Sequence, residues 1–306
     1  MKKFRSALLG LFLLATGASF VFAQNNSSTS DEPQNKVLRI TRELIKPGKS
    51  GALHDKSEAA FVQAMAHANW PVHYIAYSSL SGPSRALYLT RYESFEALQK
   101  DNDGQQKNET LAAALERAAV TDGDLLDGIA DSIWTYEPDF SYHSRKPDGN
   151  VRYMRMAFYH VRPGHNGEWR EIVKTVTAAY DKMGSSAHWG TYSLAYGSAP
   201  EMGISAGSYV MMSGMPSLRE LDDRMVDSPK FRETMGEDGM KKLGELMASA
   251  VDNINVQLYA VNPRQSYPPE EWVNAAPDFW KSKPMMASAP ASKSAAKATT
   301  VAKKTP

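Results

Sequence analysis

One joint occurs twice in the chain, and it limits the folds available more than any other feature. IKPGKSGAL (45–53) and VRPGHNGEW (161–169) each close an apolar run on a β-branched residue. A basic residue and Pro-Gly follow, and a second Gly stands three further on, ahead of a helical pattern. That is a strand, a tight turn and a helix start, written at an offset of 116. Three more landmarks recur in the same order. PVHYIAYSSLSG (71–82) matches SAHWGTYSLAYG (186–197), which pairs His73 with His188, Tyr77 with Tyr192 and Gly82 with Gly197. ESFEAL (93–98) matches PSLREL (216–221), and SIWTYEPDFSY (132–142) matches QLYAVNPRQSY (257–267).

Both copies read in one element order. Alternation over 37–46 and 152–162 predicts opening strands. Trp169, Ile172, Val173, Val176, Tyr180 and Met183 recur at helical spacing, so the joint leads into an amphipathic helix. Two strands come next in each copy, 73–79 with 86–92 and 188–195 with 208–213. Ser217 precedes Glu220 by three residues, the spacing of a capping box. Longer helical regions follow at 110–129 and 229–251, the second opened by Ser228 as N-cap and Pro229 in the first turn. A last strand closes each copy. Strand-helix-strand-strand-helix-strand is the split βαβ order of a ferredoxin-like unit.

With these landmarks the chain resembles the dimeric α+β barrel superfamily, over almost all of 37–267. The resemblance implies an α+β fold of two tandem ferredoxin-like (βαββαβ) repeats, their sheets packed face to face as an intramolecular barrel. The expected boundaries are 37–145 and 150–270. That superfamily includes small-molecule monooxygenases, haem-degrading enzymes, isomerases and proteins without known activity, so the resemblance names no reaction.

Residues 1–23 have a basic start (Lys2, Lys3, Arg5), an apolar core and a small residue, Ala23, at the end, which reads as a cleaved signal peptide. A retained anchor is the alternative, weakened by Gly10, Thr16, Gly17 and Ser19. The export reading implies a periplasmic or secreted protein. Residues 24–36 read as a linker, and 281–306 as a disordered Ala/Ser/Lys/Pro tail that could touch an anionic cell surface. The chain has no cysteine, so packing alone must hold the domain. Of the 35 Lys and Arg, three lie in the leader and six from Lys281 onward, which leaves 26 against all 34 acids and a formal charge of −8 for the body. Such a body argues against nucleic acid as partner.

Pro-Gly-x-x-Gly carries neither the Lys-Ser/Thr of a phosphate-binding loop nor GxGxxG spacing, so both joints read as turns. Arg39 and Arg155 coincide in the repeat. If the more apolar strand face packs on helices, both line the space between the sheets, suited to an anionic or carbonyl-bearing ligand. A solvated or salt-bridged strand end is the other reading. His73 with Tyr77 and His188 with Tyr192 could orient an aromatic ligand or shuttle a proton. Trp134 and Tyr259 would supply an aromatic wall, and Tyr159 shares the face of Arg155. His54 and Glu58, at i and i+4, read as a common exposed helix pair, and no motif predicts a metal site. No cofactor is expected, with haem on one of the histidines as the exception to test. The sequence thus describes an exported small-molecule-binding or structural protein. The competing reading is a cofactor-independent monooxygenase or isomerase acting on an aromatic or lipid-like substrate.

Overall fold

Eight strands carry the architecture, and the local signals that start and stop them are visible in a computed structural model that describes residues 35–281. The leader, nearly all of the linker and the tail beyond Lys281 lie outside the described residues. The elements run β1 (Val37–Ile45), α1 (Ala52–His67), β2 (Tyr74–Ser79), β3 (Arg85–Tyr92), α2 (Phe95–Lys107), α3 (Glu109–Gly123) and β4 (Leu126–Tyr136). They continue as β5 (Tyr153–Val161), α4 (Asn166–Met183), β6 (Gly190–Gly197), β7 (Ser208–Met215), α5 (Arg219–Ala250) and β8 (Val251–Val261), with two short helices, α6 (Glu270–Ala275) and α7 (Pro277–Trp280), at the end. Gly48 and Gly164, with φ of 78° and 87°, make the two Pro-Gly turns between a strand and its following helix. An L side chain is disfavoured there, which is why both joints keep glycine.

The long helical reading of 110–129 holds at its start, where α3 opens at Glu109, and is corrected at its end. Asn108 caps α3 by accepting from the Leu111 amide at 3.1 Å, and β4 has already begun at Leu126. In the second half Pro229 lies inside α5 instead of opening a helix, and the break falls at Gly236, with φ 67° and ψ 173°. Among the described residues no helix is long and apolar enough to cross a membrane.

The expected pair of sheets packed face to face is not what forms. All eight strands join one closed antiparallel barrel in the order β1-β3-β2-β8-β5-β7-β6-β4. Two pairings make the closure: β2 with β8 (Tyr77 opposite Val261) and β4 with β6 (Thr135 opposite Ser193). The reason is elementary. An open four-stranded sheet leaves two rows of unpaired N–H and C=O groups, whereas closure pairs every edge.

An eight-stranded barrel is just wide enough for side chains to fill it. Leu38, Ile40, Leu87, Trp134, Met156 and Tyr259 are among those that do so. The helices cover the outside: α4 and the end of α5 pack Trp169, Ile172, Val173 and Ala250 against β5 and β8. The more apolar strand face therefore points into the barrel, and Arg39 and Arg155 lie on the outer face, beneath helices.

Candidate functional site

That inversion decides where each sequence-selected residue falls. Arg39 lies on β1 in a cavity beneath α1 and α3, and binds both oxygens of Asp131 on β4, Nε to Oδ1 at 3.0 Å and Nη2 to Oδ2 at 3.1 Å. Arg155 and Tyr159 lie on β5 in a different cavity, beneath α4 and α5. The two arginines therefore share no cavity. Trp134 and Tyr259 are fully buried in the barrel, where the Trp134 indole donates to Ser132 Oγ at 2.9 Å. His73 precedes β2 and packs its ring 4.8 Å from that of Tyr267; burial lowers its pKa. Tyr77, His188 and Tyr192 do meet, at a smaller cavity of about 190 Å³ near α6 and α7. Both ring nitrogens of His188 face backbone carbonyls, Nδ1 that of Ser186 at 3.4 Å and Nε2 that of Gly214 at 3.0 Å.

The cavity beneath α4 and α5 has a volume of about 740 Å³, within the range of small-molecule pockets. Its walls are aromatic and aliphatic: Trp169, Val173 and Tyr180 from α4, Phe231 and Leu243 from α5, Met211 from β7. Tyr180 packs against Phe231 at 5.4 Å and against Trp189 at 5.8 Å between ring centroids. Into this lining project Arg155 and, from α5, Arg224, both half-buried. Neither forms a salt bridge among the described residues. Burial lowers the pKa of Arg224 and the neighbouring charge of Arg155 lowers it further, while Tyr180 and Glu220 offset part of the shift. Glu220, Asp223 and Asp227 stand among the lining residues, and Asp227 accepts from Ser185 Oγ at 3.0 Å. Arg224 escaped the sequence reading because α5 has no strand-like alternation to place it opposite Arg155.

A second cavity, about 530 Å³, lies beneath α1 and α3. Its floor corrects the reading of His54 and Glu58 as an exposed pair: they are 1% and 3% accessible. One turn apart on α1, they meet Glu43 from β1 and Asp122 from α3, which are 4% and 2% accessible. His54 Nε2 lies 3.0 Å from Glu43 Oε2 and 3.6 Å from Asp122 Oδ1. The Tyr88 hydroxyl donates to Glu43 Oε2 at 3.0 Å. Desolvation, then the charges of Glu43 and Asp122, push the Glu58 carboxyl up to about 9.

The barrel interior holds one more polar group that the sequence did not reveal. Arg42 and Arg85 are buried there, and Arg42 Nη2 donates to the Ser198 carbonyl at 3.2 Å. Among the described residues Arg85 Nε and Nη1 and the Tyr259 hydroxyl have no hydrogen-bond partner, and Arg42 Nε has only the Glu201 carboxylate, Oε1 at 3.6 Å.

No protein-family description matches the chain, and no curated protein does. Solved structures that resemble it include an anthrone oxidase-like protein, with a TM-score of 0.47 at 12% identity over 76% of this chain and 93% of that one. A candidate monooxygenase from Lactobacillus acidophilus gives 0.45 at 9% identity, over 74% and 94%. A mutant chlorite dismutase from Candidatus Nitrospira defluvii gives 0.41 at 11%, over 80% and 96%. With TM-scores below 0.5 these likenesses bear on neither ligand nor reaction.

Proposed function

We propose that the protein binds a small amphipathic anion, an aromatic or lipid-like carboxylate, in the cavity beneath α4 and α5. The observation that carries this reading is the pair Arg155 and Arg224, two guanidinium groups without a salt bridge among the described residues, set in an aromatic-walled space of about 740 Å³. Desolvating two like charges is unfavourable unless an anion accompanies them. A guanidinium meets a carboxylate with two parallel hydrogen bonds, so a bound carboxylate would relieve both the repulsion and the desolvation. The test is calorimetric titration with 2-naphthoate and dodecanoate, set against 2-naphthol and dodecanol. One carboxylate per chain should bind, the neutral analogues should bind at least about tenfold more weakly, and Arg155→Met with Arg224→Met should abolish binding while the circular dichroism spectrum is kept. Equal binding of acids and alcohols, or undiminished binding by the double variant, refutes the proposal.

A second reading uses the same arginines. Groups that hold a carboxylate also stabilise a phenolate or enolate, the electron-rich form in which an aromatic substrate can react with dioxygen or take its proton back at another carbon. This keeps a cofactor-independent monooxygenase or isomerase as the competing function. Oxygen uptake or isomerisation of polycyclic phenols, lost in Arg155→Met, would establish it; their inert binding would leave a binding protein. Haem in this cavity would require His188 to release the Gly214 carbonyl before Nε2 could face an iron. A Soret band on hemin titration, absent in His188→Ala, is the measurement. Export belongs to the same proposal, and intact mass should place the start of the mature chain at Gln24 or within a few residues of it, whereas the full chain in a membrane fraction would point to an anchor.

A further inference from the structure

We propose that Glu43, His54, Glu58 and Asp122 bind one divalent transition-metal ion at the floor of the cavity beneath α1 and α3. One candidate ligand atom from each of the four lies within 4.8 Å of the others. For metal–ligand bonds of about 2.0–2.2 Å, neighbouring ligand atoms stand roughly 3.0–3.6 Å apart. The two separations from His54 Nε2, 3.0 Å to Glu43 and 3.6 Å to Asp122, fall in that interval. The helix spacing explains half the site: residues i and i+4 of α1 put His54 and Glu58 on one face. β1 and α3 supply the other two.

Charge points the same way. Three buried carboxyl groups converge with one imidazole, and the one arginine of the surrounding wall, Arg39, is engaged with Asp131. Apart from the cluster's own carboxyl groups, the hydroxyl of Tyr74 from β2 is buried there with no hydrogen-bond partner among the described residues, and Glu58 Oε1 and Asp122 Oδ1 have none beyond the proton that the raised Glu58 carboxyl shares with Asp122. Buried oxygen atoms in a folded protein are satisfied by some partner. A cation would satisfy both carboxylate oxygens at once, and a water on that cation could reach Tyr74 from the cavity side. One nitrogen with three carboxylates suits manganese, iron, cobalt or zinc, since imidazole is a poor ligand for the hard ions magnesium and calcium.

Loading the site has one structural consequence. The Gln265 amide nitrogen now lies 3.0 Å from His54 Nδ1, so the imidazole carries its proton on Nε2, facing Glu43. A metal on Nε2 moves that proton to Nδ1, and the Gln265 amide must turn over to accept it, as the outer partners of metal-bound histidines do. Asp55, which loses the Gln265 donor, keeps Asn262 Nδ2 at 2.8 Å.

The experiment uses the untagged full-length chain, stripped with chelator and titrated with cobalt(II) followed by visible absorption, then with zinc(II) by calorimetry. One equivalent per chain is expected, with a raised melting temperature. X-ray absorption at the zinc edge should report one imidazole and otherwise oxygen ligands. Glu58→Gln and Asp122→Asn keep shape and remove charge: each should lower affinity at least about tenfold without lowering the melting temperature of the metal-free chain. Absence of saturable one-to-one binding, a zinc shell lacking imidazole, or full affinity in the Glu58→Gln, Asp122→Asn double variant overturns the proposal. The absorption measurement needs no variant, so a substitution that fails to fold does not shield it. Arg155 and Arg224 take no part, and carboxylate binding beneath α4 and α5 can fail or succeed separately.

Discussion

Replacing Asp101 by Ala tests whether the wall of the α1/α3 cavity is held by one buried carboxylate. Asp101, on α2, accepts three hydrogen bonds: from Trp70 Nε1 at 2.7 Å, from the Tyr92 hydroxyl at 2.7 Å and from Gln105 Nε2 at 3.0 Å. It thereby ties α2 to β3 and to the turn after α1. The three donors are not equivalent once the acceptor is gone. Tyr92 is 4% accessible, and burial and the neighbouring Asp101 keep its phenol protonated. An unsatisfied buried donor costs about 1–3 kcal/mol. Trp70 and Gln105 are half-buried and recover hydration, so each loses about 0.5–1.5 kcal/mol, the net value of an ordinary hydrogen bond. Relief of the carboxylate's own desolvation offsets part of the sum, leaving a loss of roughly 2–4 kcal/mol.

Urea denaturation of the metal-free chain, with Tyr92→Phe and the double variant alongside, measures it. Tyr92→Phe removes one donor and leaves packing intact, at a cost of about 1.5 kcal/mol. Asp101→Ala should then cost about 1–2 kcal/mol less in the Tyr92→Phe background than in the wild type, because the orphaned hydroxyl is gone. A loss below about 1 kcal/mol for Asp101→Ala, or additivity of the two changes within about 0.3 kcal/mol, refutes the brace.

Two further outcomes follow from single sites. Gly197→Ala would place a Cβ 2.5 Å from the Asp131 carbonyl oxygen at φ of +93°, where two strands of the barrel closure meet, so it should lower the urea midpoint far more than Gly48→Ala, whose φ is also positive but whose Cβ meets nothing within 4 Å. In the metal-free chain the Glu58 carboxyl is raised from 4.5 to about 9, so between those values the unfolded state is ionised and the folded state protonated. Its contribution to stability therefore falls as pH rises from 4.5 to 9, and Glu58→Gln should remove that part of the slope in urea midpoints measured at pH 5, 7 and 9; an unchanged slope would show that the carboxyl titrates normally.

How much of this could be read beforehand depends on the range of each interaction. Alternation and the Pro-Gly joints are local: β1 and β5 fall within a residue of their expected bounds, and α4 carries the helically spaced residues from Trp169 to Met183. Barrel closure is not local. It needs Tyr77 opposite Val261 and Thr135 opposite Ser193, and no periodicity says which sheet edges will find each other. The expectation that Arg39 and Arg155 line the space between the sheets fails because both strand faces are covered, one by the opposite barrel wall and one by helices, so the apolar face does not identify the helix side; its alternative, a salt-bridged strand residue, holds for Arg39. The acidic floor was invisible for a related reason. His54 and Glu58 look like a solvated pair until Glu43 and Asp122 arrive from a strand and another helix.

The two larger cavities lie between the barrel and its outer helices, and one residue decides the difference between two arginines there. On β1, Arg39 stands opposite Ile133, and two positions along the same face of β4 is Asp131, which neutralises it. On β5, Arg155 stands opposite Leu258, and the corresponding position of β8 is Val256, 48% accessible. Arg155 has no carboxylate there and remains available to a ligand. Val256→Asp should supply the missing partner in the geometry that Arg39 already uses. The site is half exposed, so the substitution should fold. A partly exposed ion pair is worth about 0–1 kcal/mol, and a ligand carboxylate competing with it should bind up to about fivefold more weakly. Ala157 lacks the hydroxyl by which Thr41 also donates to Asp131, so Ala157→Thr added to Val256→Asp should weaken binding further. Calorimetric titration of 2-naphthoate into the single and double variants reads the effect directly. Unchanged affinity in both, with a salt bridge to Arg155 visible in their crystal structures, would mean that Arg155 does not hold the carboxylate.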